Sequence, residues 1–209
     1  MKILITGFTP FPGAPENPTA DLVAWVQEGR IKAQNNVKLE ARLLPTEFEA
    51  SVSKLSEHLV EVQPDALLEF GLSAKATGFT LECIARNEIG ASPDNAGLKP
   101  DEGPIEKDAP LVFPSALPLE DFYEALGKSD IPRDFSESAG SYVCNHLFFK
   151  TMQLPKTQRP ALAGFIHIPY LKEQRDRLCK EGRVAEGLSA LSEEELRAGV
   201  ETIIKSLLV

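Results

Sequence analysis

The feature that most constrains the fold of this chain is the alternation, from end to end, of short apolar runs with amphipathic stretches of helical period. Such apolar runs are typical of buried strands, and the amphipathic stretches are typical of helices packed on one face. The pattern predicts strands over residues 2–6, 37–44, 66–70, 79–85, 134–138 and 162–168. It predicts helices from near Thr19, over 47–62, 119–126 and 141–153, and after a capping box formed by Ser192 and Glu195. Strands separated by helices predict a single α/β domain over residues 1–209, with helices on both faces of a largely parallel sheet.

The charge and hydropathy of the chain argue against two classes of partner. A net charge of −9, without any basic run, argues against binding to nucleic acid phosphates, which needs clustered Lys and Arg. No apolar stretch approaches the roughly 20 residues that span a bilayer. The first apolar run is broken at Gly7, too early for a signal peptide, so we expect a cytoplasmic protein.

Three cysteines, Cys83, Cys144 and Cys179, are widely spaced and contain no Cys-x-x-Cys pair. This spacing argues against a disulfide framework or a zinc site, and the usual role of such a thiol is that of a small buried apolar residue. Cys144 differs in its setting, because the small residues SAGS before it predict a tight turn into a helix. The positive end of the helix dipole favours a thiolate there, and the unpaired N–H groups of the first turn can hold an oxyanion.

Only three histidines are available as a general base. His58 lies among polar residues in an amphipathic stretch, which is typical of a solvated helix face. His146 is two residues past Cys144 in the predicted helix, where side chains two apart do not face each other, so we interpret it as structural. His167 interrupts the apolar run GFIHIPY near the end of a strand, where a polar ring needs a partner. From the residues alone, His167 is either a satisfied core histidine or the base.

Glu82 lies in the otherwise apolar strand FTLECIA, where an unpaired acid is costly. Paired with an imidazole, it would orient the ring and stabilise its charged form, which is the third role in a nucleophile–base–acid set. The alternative is an ordinary ion pair, for example with Arg86. Because side chains alternate along a strand, Cys83 is predicted to point away from Glu82 and to pack.

The loop GFTPFPG after the first strand does not have the spacing of a nucleotide-binding loop. Its prolines also remove N–H donors that a phosphate cradle requires. Phe8 and Phe11 in this loop instead predict an apolar wall for a flat, uncharged ligand. The Gly- and Pro-rich stretch 87–118 is predicted to be a long irregular loop, which inside a compact domain is usually functional or mobile.

Several segments, in order over nearly the whole chain, resemble the pyroglutamyl peptidase type I family of cysteine peptidases. They are TGFTPF (6–11) with NPT (17–19), LPT (44–46), Glu82 with Ala85 and Asn87, PDN with Gly97 (93–97), SAG with VCNHLF (138–148), and GFIHIPY (164–170). The resemblance implies a single α/β/α sandwich with a largely parallel, mixed sheet, assembled as a dimer or tetramer and needing no metal or cofactor. It implies peptides with an N-terminal pyroglutamyl residue as substrates.

The resemblance also implies roles for individual residues. Cys144 is implied to be the nucleophile, His167 the general acid and base, and Glu82 the orienting acid. The residues implied to bind the pyroglutamyl group are Phe8, Phe11, Thr46, Tyr142 and Val143, together with backbone groups at Leu72.

Three departures from the family pattern flank the implied substrate site. Cys83 stands where Arg commonly follows the acid, and Ala74-Lys75-Ala76 where the loop often reads Gly-Gly-Arg. Ala91-Ser92 replaces a common Arg-Ile pair in a segment one residue shorter, so we expect weaker contacts to the lactam from this loop. Two other functions stay open: a cysteine amidase of the same scaffold for another small acyl group, and a non-catalytic binding module.

Overall fold

The computed structural model of the protein describes residues 1–208. Its strands are β1 (Lys2–Phe8), β2 (Lys38–Leu44), β3 (Ala66–Leu72), β4 (Phe79–Glu82), β5 (Ile84–Arg86), β6 (Val112–Pro114), β7 (Arg133–Ser136), β8 (Leu162–Ile168), β9 (Tyr170–Leu171) and β10 (Ala190–Leu191). Its helices are α1 (Pro18–Gln27), α2 (Phe48–Val62), α3 (Leu119–Lys128), α4 (Val143–Gln153), α5 (Lys172–Lys180) and α6 (Glu193–Ser206).

Six strands form the central sheet in the order β2-β1-β3-β8-β4-β7. All neighbours are parallel except β4 and β8, which run antiparallel with Thr80 opposite His167. The predicted α/β class with a largely parallel, mixed sheet is therefore confirmed. Because β4 runs antiparallel to β8, Glu82 lies beside the strand that carries His167. An acid and a histidine far apart in sequence thus become neighbours.

Alternating strand residues divide the core into two layers, one on each face of the sheet. Ile3 and Ile5 of β1 face α1, α3 and α6, whereas Leu4 and Phe8 face α2 and α4. Burying both faces removes apolar surface from water, which is the main favourable contribution to folding. The result is an α/β/α sandwich. The helices α2 and α4 cover the face of the sheet toward which Phe8, at the carboxyl end of β1, points.

The predicted strand 79–85 is wrong in its continuity, because the chain leaves the central sheet at Cys83. The Cys83 N–H donates to the Ser136 carbonyl at 2.7 Å, and its own carbonyl accepts from the Ser115 N–H at 2.8 Å. The next residues form β5, which pairs with β6 inside the stretch predicted to be irregular. Sequence period cannot reveal this exchange of partners, since both halves of the run are apolar.

The sequence pattern also missed α5, because this helix has only two buried residues, Gln174 and Leu178, and no apolar stripe. The capping box of α6 is present as predicted, with the Ser192 hydroxyl accepting from the Glu195 N–H at 3.1 Å. Within residues 1–208, no helix is long and apolar enough to cross a membrane.

Candidate active site

Cys144 is the second residue of α4, so the prediction of a thiol in the first helical turn is confirmed. The helix begins at Val143, two residues later than predicted, and its N-cap, Tyr142, makes no side-chain capping bond. The first helical bond runs from the His146 N–H to the Tyr142 carbonyl at 3.0 Å. The N–H groups of the first turn therefore have no helical acceptor and are available as donors at the end of the helix where the thiol lies.

Gly71, near the carboxyl end of β3, makes room for the thiol. A β-carbon at this position would lie 3.0 Å from the Cys144 sulfur and 2.7 Å from the Phe165 ring. Gly71 also pairs in register with His167 on β8. A side chain here would press on the Cys144 sulfur and the Phe165 ring, so the glycine is part of the site although it carries no chemistry.

His167 and Glu82 form a buried pair beside Cys144. The His167 Nδ1 lies 2.7 Å from the Glu82 Oε1, and the two side chains are only 7% and 2% exposed. Burial lowers the pKa of His167, but the Cys144 sulfur and the Glu82 carboxylate outweigh it and raise that pKa to about 9. The ring therefore holds its proton at neutral pH, with Nδ1 bound to the acid and Nε2 left for the thiol.

The sequence left two possible partners for Glu82, an imidazole and Arg86. In the structure Glu82 pairs with the imidazole of His167. Arg86 instead donates from Nε to the Glu137 carbonyl at 2.6 Å. The second Glu82 oxygen is buried and makes no hydrogen bond within residues 1–208. The carboxylate is thus directed at the imidazole alone.

Asn145 fixes α4, the helix that carries Cys144, to β5, the strand that follows Glu82. Its Oδ1 accepts from the Arg86 N–H at 3.0 Å, and its Nδ2 donates to the carbonyls of Arg86 and Glu88, both at 2.9 Å. All of its hydrogen-bonding capacity except one lone pair is used, and the side chain is fully buried. This clamp sets the distance between α4 and β5, and with it the distance between the thiol and the acid.

A cleft of about 710 Å³ opens above the thiol, the imidazole and the carboxylate. Five of the six residues expected at the substrate lie on its wall, namely Phe8, Phe11, Thr46, Leu72 and Tyr142. Val143 is the exception, because its side chain is fully buried in the core on the α2 and α4 face. A second cavity, of about 470 Å³, lies at the end of α2 and contains neither a thiol nor a histidine.

Tyr142 links the aromatic wall of the cleft to the loop after β5. Its ring lies 5.8 Å from that of Phe11 and 5.5 Å from that of Phe48, and its hydroxyl donates to the Pro93 carbonyl at 3.1 Å. Ala91 and Ser92 are exposed and do not line the cleft. Next to this loop, the cleft is lined by Tyr142 and not by Ala91 or Ser92.

Asp94 is a positioning residue that the sequence did not single out beyond its motif. One carboxylate oxygen accepts from the N–H of Phe48 at 2.9 Å, capping α2, and the other accepts from the N–H groups of Ala96 and Leu98 at 2.9 Å. The neighbouring Asn95 donates to the Pro10 carbonyl at 2.9 Å. The loop that contains Asp94 and Asn95 therefore holds the opening loop and the start of α2 together. The positioning role of Asp94 is apparent only from its burial, which is a tertiary property.

The remaining histidines lie outside the cleft. His146 is buried edge-on against Phe48. Its burial, which is the larger cause, and the charge of the nearby Lys150 lower the pKa of His146 to about 4. It is therefore a neutral packing residue, as its helical position predicted. His58 on α2 lies 3.5 Å from Glu61, but its side chain is only 18% exposed, less solvated than predicted.

The two other cysteines are also remote from the imidazole. Cys83 turns away from Glu82 into a separate depression beside Leu117 and Phe135. Burial, the largest cause, raises the pKa of its thiol and disfavours a thiolate. The Cys179 sulfur contacts the Ala185 carbonyl at 3.3 Å. Among residues 1–208, no three His, Cys, Asp or Glu side chains cluster as a metal site would require.

A thiol at an uncapped helix N-terminus, beside an imidazole held by a buried carboxylate, defines a cysteine hydrolase on an α/β/α sandwich. Residues 1–206 match the family model described as pyroglutamyl peptidase. The chain belongs to the pyroglutamyl peptidase family of cysteine peptidases.

Relatives and solved structures agree with this assignment. The chain is 38% identical over 175 residues to the pyrrolidone-carboxylate peptidase of Thermococcus litoralis, covering 83% of this chain and 78% of that protein. It is 39% identical over 176 residues to the enzyme of the same name from Lactobacillus acidophilus, covering 83% and 86%. The crystal structure of a mutant pyrrolidone carboxyl peptidase from P. furiosus superimposes with a TM-score of 0.89 at 30% identity, covering 100% of this chain and 98% of that one.

Proposed function

We propose that this protein hydrolyses the amide bond that follows an N-terminal pyroglutamyl residue, with Cys144 as nucleophile, His167 as general acid and base, and Glu82 as the acid that orients the ring. The observation that carries these roles is the buried 2.7 Å bond between His167 and Glu82, beside a thiol in the first turn of α4. Family membership supports the substrate class.

The reaction starts when the proton of the Cys144 thiol passes to His167, whose pKa, raised to about 9, favours the imidazolium that results. The thiolate attacks the carbonyl carbon, and backbone N–H groups at the start of α4 stabilise the oxyanion. As the C–N bond breaks, His167 gives its proton to the leaving amine, and a thioester remains on Cys144. Water then gives a proton to His167 and attacks the thioester, which releases pyroglutamic acid and restores the thiolate.

The aromatic end of the cleft suits the pyroglutamyl ring, which is flat, neutral and without a free amine. Phe8, Phe11 and Tyr142 supply apolar surface, and Thr46 supplies a hydroxyl. The pairing of β1 with β3 ends at Thr6 and Glu69, so the β3 backbone beyond this point lacks a strand partner on that side. Backbone groups at Leu72 are therefore available to bind the lactam.

Two further parts of the proposal concern the cellular setting. Three free cysteines suit a reducing compartment, so we place the enzyme in the cytoplasm. We also keep the homo-oligomer as the expected assembly; size-exclusion chromatography with light scattering would contradict it by returning a mass near 22.9 kDa.

Replacement of the nucleophile tests the assignment. Cys144→Ser and Cys144→Ala should fold normally and lose at least about a thousandfold in kcat on pyroglutamyl-β-naphthylamide, because a hydroxyl without thiolate character is a poor nucleophile. Cys83→Ala is the matched control and should keep most of the activity. If Cys144→Ala kept a tenth of the activity, Cys144 would not be the nucleophile. If Cys83→Ala folded but were inactive, the nucleophile would have been assigned to the wrong thiol.

The alternatives are separated by two further measurements on the wild-type protein. Faster turnover of prolyl- or glutamyl-naphthylamide than of the pyroglutamyl substrate would favour an amidase of different acyl specificity. A binding module would hydrolyse none of the three, and its Cys144 would react slowly with a thiol reagent at neutral pH.

A further inference from the structure

The strand register places the two ends of the cleft on opposite sides of His167. Gly71 pairs with His167, His167 with Thr80, and Thr80 with Asp134. Residues paired across neighbouring strands point to the same face of a sheet, and each strand is about 4.8 Å from the next. Asp134 on β7 therefore shares a face with His167 at a lateral distance of roughly 10 Å.

The two ends differ in chemistry. The end over β1 is aromatic and accommodates a neutral ring, whereas the end over β4 and β7 is lined by hydroxyls and by the charged side chains of Lys75 and Asp134. If the pyroglutamyl group occupies the aromatic end, then the chain released on cleavage must lie over β4 and β7. This step rests on the proposed function.

Asp134 and Lys75 are both exposed and form no ion pair within residues 1–208. One Asp134 oxygen accepts from the Phe135 N–H at 2.8 Å, which steadies the carboxylate, and no side chain neutralises it. Lys75 lies in the loop between β3 and β4 and lines the cleft together with Asp134. The leaving peptide thus passes two unneutralised charges of opposite sign.

We propose that the leaving-peptide side of the site runs over β4 and β7, and that Asp134 there selects for a cationic side chain on the residue after pyroglutamate. A long basic side chain can span the distance from the scissile bond to the Asp134 carboxylate. Lys75, on the loop between β3 and β4, disfavours the same cation and favours an acidic residue.

The test compares kcat/KM for the amides pyroglutamyl-Arg-NH₂, pyroglutamyl-Gln-NH₂ and pyroglutamyl-Glu-NH₂, in which the blocked C-terminus leaves the side chain as the variable charge. At low salt the wild type should prefer Arg over Gln by about 1.5- to 5-fold, the range for an exposed ion pair. Asp134→Asn should lower this ratio to one or below, because Lys75 remains, and Lys75→Gln should lower the ratio of Glu to Gln. Raising the salt concentration should shrink both preferences in the wild type.

Asp101→Asn is the matched control, because it removes the same charge from an exposed loop outside the cleft and should leave the Arg-to-Gln ratio unchanged. An unchanged ratio in Asp134→Asn overturns the inference, and so does an equal fall in Asp101→Asn, which would indicate attraction to the net charge of −9. Hydrolysis of the Gln substrate separates failure of the proposed function from failure of this inference. If the Gln substrate is not hydrolysed, the proposed function fails. If it is hydrolysed but Arg is not preferred, only this inference fails.

Discussion

Glu69 should make the stability of this protein depend on pH in the direction opposite to that of an ordinary carboxylate. The residue lies on β3 two positions before Gly71, is fully buried, and accepts one hydrogen bond, from the Thr151 hydroxyl at 2.8 Å. Its second oxygen has no partner, and no ion pair to it exists within residues 1–208. Burial, only partly offset by Thr151, raises the pKa of Glu69 from 4.5 to about 8.

The sign and size of the effect follow from the two pKa values. Below pH 4.5 both the folded and unfolded chains hold the proton, so Glu69 adds no pH dependence to the stability. Between pH 4.5 and about 8 only the unfolded chain releases it, and the free energy of unfolding falls as pH rises. The pKa difference, about 8 minus 4.5, is about 3.5, which at about 1.4 kcal/mol per pH unit amounts to roughly 5 kcal/mol once both states are ionised.

Glu69→Gln removes the titrating proton while keeping the shape of the side chain. Urea unfolding of the variant and the wild type should give a difference in the free energy of unfolding that grows in favour of Gln by about 3 kcal/mol between about pH 5.5 and 7.5. Other groups cancel in this difference, and Glu186→Gln, which removes an exposed acid, should show no such trend. A difference that stays flat with pH would refute the claim that Glu69 is folded in its protonated form.

Two predictions concern the site itself. Glu82→Gln should lower turnover less than His167→Ala does, and it should move the alkaline limb of the pH–rate profile to lower pH, because Glu82 helps to raise the pKa of His167 to about 9; an unmoved limb at wild-type rate would make Glu82 a bystander. Gly71→Ala should lower kcat and cost about 1–3 kcal/mol of stability, because its β-carbon would contact the Cys144 sulfur at 3.0 Å and the Phe165 ring at 2.7 Å; wild-type kinetics would show that the site yields without loss.

Local patterns in the sequence were enough to predict most helices and strands and to single out the side chains that the structure brings together in the cleft. The small residues before Cys144 predicted its place in the first turn of a helix, and His167 and Glu82 attracted attention as polar residues in apolar strands. These inferences succeed because period, turn residues and the cost of burying a polar group are properties of a few neighbouring residues. Family resemblance then supplied the roles, since no local pattern states which acid serves which histidine.

The tertiary structure decided what depends on residues distant in sequence. Glu82 and His167 are 85 residues apart, and they meet because β4 runs antiparallel to β8, a pairing that the apolar run FTLECIA does not encode. The same packing breaks that run at Cys83, and buries Glu69 without a cation. The sequence thus determined which side chains are candidates for the chemistry, whereas their neighbours, protonation and position in the cleft depend on strand order and register, which only the packing of the whole chain fixes.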